Sequence, residues 1–268
     1  SVDLSSEWVG RLCDRHRGIG ADGVLLVSLH ESDPLRARMI VRNADGSRPE
    51  MCGNGARCAA LHVARRRRSA PGRTVITLDT DAGVRPCDVE ILSDTAERSA
   101  HGEVTIDMGQ LRVLGEAPIS FEGRSYNLLS VDAGNPHAVF FDSIDESSFD
   151  RFGAWLQDKH PESPWQRGVN LERVTVRPSE SGPPALEVIV FERGVGRTLA
   201  CGTGACAVAR AAVHRGLAPA GQGITVQLPG GPLTITVEGG GQVRMRGAAR
   251  IAFRGAVSLP PHAFVRGG

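Results

Sequence analysis

An internal repeat is the feature of this chain that most restricts its fold. Residues 52–56 (Cys-Gly-Asn-Gly-Ala) and 201–205 (Cys-Gly-Thr-Gly-Ala) share four of five amino acids, and at the same offset the apolar run 39–41 falls on 188–190. Behind each cysteine, apolar residues recur with the i, i+3, i+4, i+7 spacing of one helix face. The 268 residues are therefore predicted to contain two copies of one structural unit.

Strand-like runs follow each predicted helix. They lie at 75–78, 89–92 and 104–106 in the first half and at 224–228, 233–237 and 243–245 in the second. Polar and apolar residues alternate in them, and Gly and Pro lie between them, which predicts antiparallel strands joined by tight turns. Each copy is thus a strand, a glycine-rich turn, a helix that begins at a cysteine, and a meander of strands.

The expected fold class is α+β, with two pseudo-symmetric domains. We place the first at 1–112, completed by a returning segment at 251–268, and the second at 113–250. A surface helix is predicted over 150–160 and a loop over 177–184, where three prolines occur.

Composition excludes several classes of function. The 31 basic and 30 acidic side chains leave a formal charge of +1, so no basic surface for wrapping nucleic acid is expected. The only lysine is Lys159, in a polar helix end, which argues against a pyridoxal phosphate Schiff base and a P-loop. No run approaches the roughly 18 apolar residues of a membrane helix. The six cysteines show no zinc spacing, so we expect no metal and reduced thiols in the cytoplasm.

Two of the cysteines, Cys52 and Cys201, carry the functional prediction. A thiol at the first turn of a helix meets the positive end of the helix dipole, which lowers its pKa, and the glycines beside it let backbone amides approach a carboxylate. If the two halves pack about a pseudo-twofold axis, the two thiols face each other across one cleft. One thiolate could then remove an α-proton while the other thiol protonates the opposite face.

The remaining cysteines are predicted to be small buried apolar residues. They are Cys13, Cys58, Cys87 and Cys206.

Three turns supply further candidate site residues. His137, in the turn 134–137, could move a proton on or off a nearby thiol. Glu192 and Arg193 end the strand before Cys201, as Asn43 ends the strand before Cys52. Each of these could also be a plain turn or an ion pair.

Taken together, six segments resemble the diaminopimelate epimerase family. They are 17–23, 43–46, 51–58, 134–137, 168–170 and 192–206. The resemblance implies two similar domains, each a mainly antiparallel sheet wrapped around a central helix, with the active site in the cleft between them. It also implies a cofactor-independent interconversion of LL- and meso-diaminopimelate, on the bacterial route to lysine and peptidoglycan precursors, by a cytoplasmic homodimer.

The same resemblance implies a role for each site residue. Cys52 and Cys201 would be the catalytic acid and base. The amides that hold the reacting carboxylate would be those of Gly53, Asn54, Gly202 and Thr203. Residues that hold the other substrate groups would be Asn43, Asn135, Asn170, Glu192 and Arg193, with Arg193 on the distal carboxylate. His137 and Glu192 would help to set the protonation of the thiols.

One family feature is missing from this chain. Family members open with a strand and a loop of the type His-Gly-x-Gly-Asn-Asp-Phe, whereas this sequence begins after that point, with Ser1 and no initiator Met. We therefore expect such a segment upstream of Ser1. Without it, one sheet lacks a strand and the site lacks a contact.

Three other functions stay open at the level of sequence. A proline or hydroxyproline racemase shares the paired cysteines and the fold, but the residues after Cys52 and the pair Glu192 and Arg193 suit a substrate with a second charged end. A thiol-redox protein would use a reversible Cys52–Cys201 disulfide. A non-catalytic amino-acid-binding protein is favoured only if the upstream segment is truly absent.

Overall fold

The structure is a computed structural model that describes residues 2–67, 72–93, 100–157 and 163–266. The chain divides into two compact units. Unit 1 comprises Ser1–Ile106 and Ala248–Gly268, and unit 2 comprises Asp107–Gly247. The predicted α+β class is confirmed, because each unit holds one central helix against a mainly antiparallel sheet.

In unit 1, three further elements come first, and the predicted strand, helix and meander follow them in the predicted order. The elements are β1 (Val2–Leu4), α1 (Ser6–Cys13), β2 (Gly23–Leu29), β3 (Arg36–Asn43), α2 (Gly53–Arg67), β4 (Gly72–Thr80), β5 (Gly83–Ser93) and β6 (His101–Gln110), whose last residues enter unit 2. The sheet order is β2-β3-β4-β5-β6. Only the β3–β4 pair among these is parallel, because α2 crosses over between the two strands.

Unit 2 contains the second copy and, like unit 1, has two α-helices within the residues that the structure describes. Its elements are β7 (Arg112–Phe121), β8 (Arg124–Asp132), β9 (Pro136–Phe140), α3 (Glu146–Trp155), β10 (Asn170–Arg177), β11 (Ala185–Glu192), β12 (Gly196–Thr198), α4 (Gly202–His214), β13 (Gly223–Leu228), β14 (Gly231–Val237) and β15 (Gln242–Arg250), which ends in unit 1. The sheet order is β15-β14-β13-β11-β10-β9-β8-β7, with β12 beside β11. The crossover β11-α4-β13 is again parallel and reproduces β3-α2-β4.

The two central helices bury faces of small residues. On α2 these are Ala56, Ala59, Ala60 and Val63, and on α4 they are Ala205, Val208, Ala209 and Ala212, all at most 2% exposed. Small side chains let strands approach each helix closely, and α4 contacts strands from β7 to β14. The cysteine that precedes each helix is thereby fixed against the sheet.

The predicted helix at 150–160 is placed differently by the structure. Helix α3 begins four residues earlier, because Asp145 caps it by accepting a hydrogen bond from the Ser148 amide at 2.9 Å. Its Phe149 and Phe152 are fully buried, so α3 is more deeply packed than a surface helix. Residues 158–160, and with them Lys159, lie outside the described residues. The predicted loop at 177–184 is confirmed between β10 and β11.

One further strand in the described part of the chain completes the sheet pairings. The short strand β16 (Phe264–Arg266) pairs antiparallel with β1. Among the described residues, no helix combines the length and the apolar character needed to span a membrane.

Candidate active site

Cys52 lies immediately before α2 and caps that helix through its sulfur. The Gly55 amide donates to Cys52 Sγ at 3.3 Å, and the Ala56 amide donates to the Cys52 carbonyl at 2.8 Å. The side chain is half-buried. The Cys52 sulfur thus lies among the backbone amides of the first turn of α2.

Cys201 occupies the matching position before α4. The Gly204 amide donates to Cys201 Sγ at the same distance, 3.3 Å, and Thr203 Oγ1 lies 3.4 Å from the sulfur. The Ala205 amide donates to the Cys201 carbonyl at 3.0 Å. The predicted repeat is therefore a repeat of cap geometry as well as of sequence.

The two thiols differ in their surroundings. Cys201 is only 6% exposed. Burial raises the pKa of Cys201 well above its usual value, the carboxylate of Glu192 raises it further, and the bonds from Thr203 and Gly204 oppose this rise. The expectation that the helix start lowers the pKa is thus wrong for Cys201, because desolvation and the nearby Glu192 outweigh the helix amides. Cys201 rests as a thiol.

His137 is completely buried on β9, between two partners. Its Nδ1 lies 2.7 Å from Glu172 Oε1, and its Nε2 lies 3.0 Å from Asn135 Oδ1. Glu172, on β10, is also fully buried, and burial raises its pKa although His137 opposes that change. Glu172 also lies close to Cys201 across Gly204, so these groups form one cluster.

Asn170 ties the His137 strand to the turn that holds Arg193. Its Nδ2 donates to the Pro136 carbonyl at 3.0 Å, and its Oδ1 accepts from the Arg193 amide at 2.9 Å. Asn170 is 4% exposed, whereas the Arg193 side chain is exposed.

Glu192 ends β11 and is held by a neighbouring hydroxyl. Thr198 Oγ1 donates to Glu192 Oε1 at 2.6 Å. In unit 2, hydrogen bonds thus link Asn135 to His137 and Asn170 to Arg193, and Glu192 acts electrostatically on Cys201 at the start of α4.

The predicted residues of unit 1 lie at the end of β3 and the start of α2. Asn43 Nδ2 donates to Ser47 Oγ at 2.9 Å within the turn after β3. Asn54 Oδ1 accepts from Arg57 at 3.1 Å on the first turn of α2, next to the buried Gly53.

The prediction of four buried structural cysteines is correct for three of them. Cys13, Cys87 and Cys206 are buried, and burial raises the pKa of Cys87 to about 12. Cys58 is exposed, so the prediction is wrong there. It lies on the face of α2 opposite the small residues that pack on the sheet, and helix periodicity alone was enough to place it outside.

One residue of the cluster was missed from the sequence. Glu172 stands in β10 among residues of mixed polarity, where a carboxylate ordinarily faces solvent. In the sequence, its only signal is its position two residues after Asn170. In the structure, the strand that carries it pairs with a neighbour on each side. Among the described residues, no three His, Cys, Asp or Glu side chains are placed to hold a metal ion.

Most of the chain is similar to known enzymes of one family. A family profile described as "Diaminopimelate epimerase" matches residues 1–113 and 129–252. A diaminopimelate epimerase of Desulfitobacterium hafniense is 36% identical over 260 residues, covering 94% of this chain and 87% of the relative. One of Desulforudis audaxviator is 39% identical over 262 residues, covering 91% and 87%.

Solved structures show the same fold at lower identity. A probable proline racemase of Agrobacterium radiobacter superposes with a TM-score of 0.67 at 19% identity, covering 95% of this chain and 82% of that one. This likeness bears on the fold alone.

Proposed function

Because this chain belongs to the diaminopimelate epimerase family and is an isomerase that epimerises diaminopimelate, we propose that Cys52 and Cys201 are its catalytic acid and base. The observation that carries this proposal is the shared cap. Each cysteine sulfur accepts a hydrogen bond at 3.3 Å from the backbone amide of the residue three positions later. Two thiols with the same cap geometry suit a reaction in which the forward and reverse directions each need a proton-transfer group on either face of the α-carbon.

Stereoinversion needs one group to take the α-proton and another to return a proton from the opposite face. Cys201 rests protonated, because burial and the carboxylate of Glu192 both raise its pKa. In the direction that begins from this state, Cys52 takes the α-proton as thiolate and Cys201 delivers its thiol proton. The roles exchange in the reverse direction.

The carboxylate beside the reacting carbon gains charge as the α-proton leaves. The first amides of a helix have no intrahelical acceptor, so the starts of α2 and α4 offer N–H groups for that charge. Gly53, Asn54, Gly202 and Thr203 supply these amides in our proposal. A donor already in place costs no reorganisation during the reaction.

The remaining site residues recognise the rest of the substrate. We assign Asn43, Asn135, Asn170 and Glu192 to its amino and carboxylate groups, and the exposed guanidinium of Arg193 to the distal carboxylate. Arg193 is supported in this role by its backbone, which Asn170 holds at 2.9 Å.

The cellular setting is also part of the proposal. We propose a cytoplasmic homodimer that acts without pyridoxal phosphate, on the route to lysine and peptidoglycan precursors. The single lysine of the chain supports the absence of a Schiff-base cofactor, and the family resemblance supports the rest.

The test is isotope incorporation. Incubated with LL-diaminopimelate in deuterated water without cofactor, the protein should form the meso isomer with deuterium at the α-carbon and leave proline unchanged. Cys52→Ala and Cys201→Ala should each lower kcat/KM by at least about 100-fold, because each removes one proton-transfer group.

Cys58→Ala is the matched control, since it removes an exposed thiol from the same helix as Cys52. It should keep the wild-type rate. Near-wild-type turnover by either Cys52→Ala or Cys201→Ala would refute the two-base assignment.

A further inference from the structure

A buried hydrogen-bonded chain runs from Glu172 through His137 to Asn135. Glu172 and His137 are both 0% exposed. Glu172 Oε1 lies 2.7 Å from His137 Nδ1, and His137 Nε2 lies 3.0 Å from Asn135 Oδ1. An amide oxygen can only accept a hydrogen bond, so His137 Nε2 carries a proton and donates it.

At the other end of this series of hydrogen bonds, the Glu172 carboxyl group lies in an environment that disfavours its ionised form. Glu172 Oε2 is buried and has no hydrogen-bond partner in the described part of the chain. An ionised carboxylate with one bare oxygen in a protein interior is costly, whereas a protonated one loses much less. The protonated Oε1 then donates to Nδ1 of a neutral imidazole.

Among the described residues, the titratable groups that face this chain come from three other positions. They are Asp132 on β8, Glu192 on β11 and Cys201 before α4. Asp132 is paired with Arg112 at 2.6 Å, so its charge is compensated. Glu192 is a like charge that further disfavours ionisation of Glu172, and burial raises the pKa of Glu172 in the same direction.

Gly204, three residues after Cys201, makes room for this carboxyl group. A Cβ placed on Gly204 would lie 2.8 Å from Glu172 Oε1 and 3.3 Å from Cys201 Sγ. The carboxyl oxygen and the thiol therefore both border the same small space at the start of α4.

Resting on the function proposed above, we propose that Glu172 is a positioning residue that acts as a neutral acid. It donates to His137 Nδ1, which fixes the imidazole as the Nε2–H tautomer. His137 in turn holds the Asn135 amide by its oxygen. The Asn135 NH2 group then points away from His137 and is presented to a carboxylate of the substrate. No proton is transferred along these hydrogen bonds, since each proton stays on its own heavy atom.

The first test reads the tautomer directly. In protein labelled with ¹⁵N-histidine, two-bond ¹H–¹⁵N spectra distinguish the two neutral tautomers from imidazolium, and the His137 signal is assigned by its loss in His137→Asn. The expected result at neutral pH is the neutral Nε2–H form, in the wild type and in Glu172→Gln, whose amide N–H still donates to Nδ1. An imidazolium or an Nδ1–H tautomer in the wild type would overturn the proposal.

The second test uses kinetics. Glu172→Gln keeps the donor and should keep kcat/KM close to the wild-type value, whereas Glu172→Leu removes it and should lower kcat/KM about 100-fold by misplacing the Asn135 amide. Ionisation of Glu172 at high pH ends its donation to Nδ1, so it contributes to the alkaline fall of wild-type activity. That fall should move to higher pH in Glu172→Gln, which cannot ionise.

Glu187→Gln is the control, because it makes the same change at a carboxylate on the neighbouring strand β11 that pairs with Arg177 at the surface. It should leave kcat/KM and the pH profile unchanged. A Glu172→Gln variant as inactive as Glu172→Leu would show that Glu172 works as an ion, against the proposal. If Glu172→Leu does not fold, the His137 spectrum of the wild type and the pH profile of Glu172→Gln still test the proposal.

The two proposals fail separately. An active wild type with an Nδ1–H or charged His137 keeps the epimerase mechanism and removes the role of Glu172. A wild type that exchanges no deuterium removes the mechanism, while the spectra still report the state of His137.

Discussion

At the scale of single residues, Gly55 and Gly204 each donate an amide to a helix-capping cysteine, but their neighbours differ. A Cβ on Gly55 would meet Leu25 Cδ2 at 2.8 Å, the end of a flexible apolar side chain. A Cβ on Gly204 would meet Glu172 Oε1 at the same distance, and that carboxyl is held by His137. The same substitution should therefore have different costs at the two sites.

We predict that Gly204→Ala destabilises the protein and Gly55→Ala does not. Alanine gains about 1 kcal/mol over glycine within a helix, but a clash with a fixed buried group costs about 1–3 kcal/mol. Urea unfolding of the two variants beside the wild type measures the difference. Equal stability of both variants would mean that the Glu172 carboxyl moves freely, contrary to its bond with His137.

At the scale of elements, helix α3 connects the aromatic core of unit 2 to the strand that carries Glu192. Phe152 stacks on Phe121 with ring centroids 4.7 Å apart and lies 5.1 Å from Tyr126. A Cβ on Gly153 would lie 2.4 Å from the Phe191 ring, so the helix backbone lies directly on β11. Packing of α3 thus fixes the residue next to Glu192.

Phe152→Ala should lower the free energy of unfolding by about 3–5 kcal/mol, because it leaves a cavity among aromatic rings. Phe253→Ala is the control: Phe253 is 69% exposed, and its removal should change stability by less than about 0.5 kcal/mol. Chemical denaturation followed by tryptophan fluorescence measures both. A small effect of Phe152→Ala would show that the aromatic cluster can repack around the gap.

At the scale of the whole molecule, the two ends of the chain meet in unit 1. Strand β1 pairs with β16, and the Ser5 amide donates to the Ala263 carbonyl at 2.9 Å. Leu4, Val9, Cys13 and Ala263 form a separate small core. Unit 1 therefore depends on residues from both ends of the sequence.

Deletion of residues 260–268 should expose this small core and unpair β1. Amide hydrogen exchange should then become fast in β1 and α1, while β13 and β14 of unit 2 keep their protection. Deletion of residues 267–268 alone is the control, because it leaves β16 whole. Unchanged protection of α1 after the longer deletion would show that its packing does not need Ala263.

Much of the fold and half of the site follow from local pattern. Helices α2 and α4 and the strands after them have clear periods, and the repeat marks Cys52 and Cys201 without any knowledge of contacts. The start of α3 was missed because the Asp145 cap is a single residue, and the exposure of Cys58 was missed because helix membership was equated with burial.

By itself, the sequence determined that the molecule is a duplicated α+β unit with a thiol capping each central helix, because those properties depend on residues close together in the chain. Only the tertiary structure decided that Cys201 rests protonated and that Glu172 lies beside His137. Burial and Coulomb interactions depend on distance in space, and strands β9, β10 and β11 bring together acids that no local pattern distinguishes from surface residues.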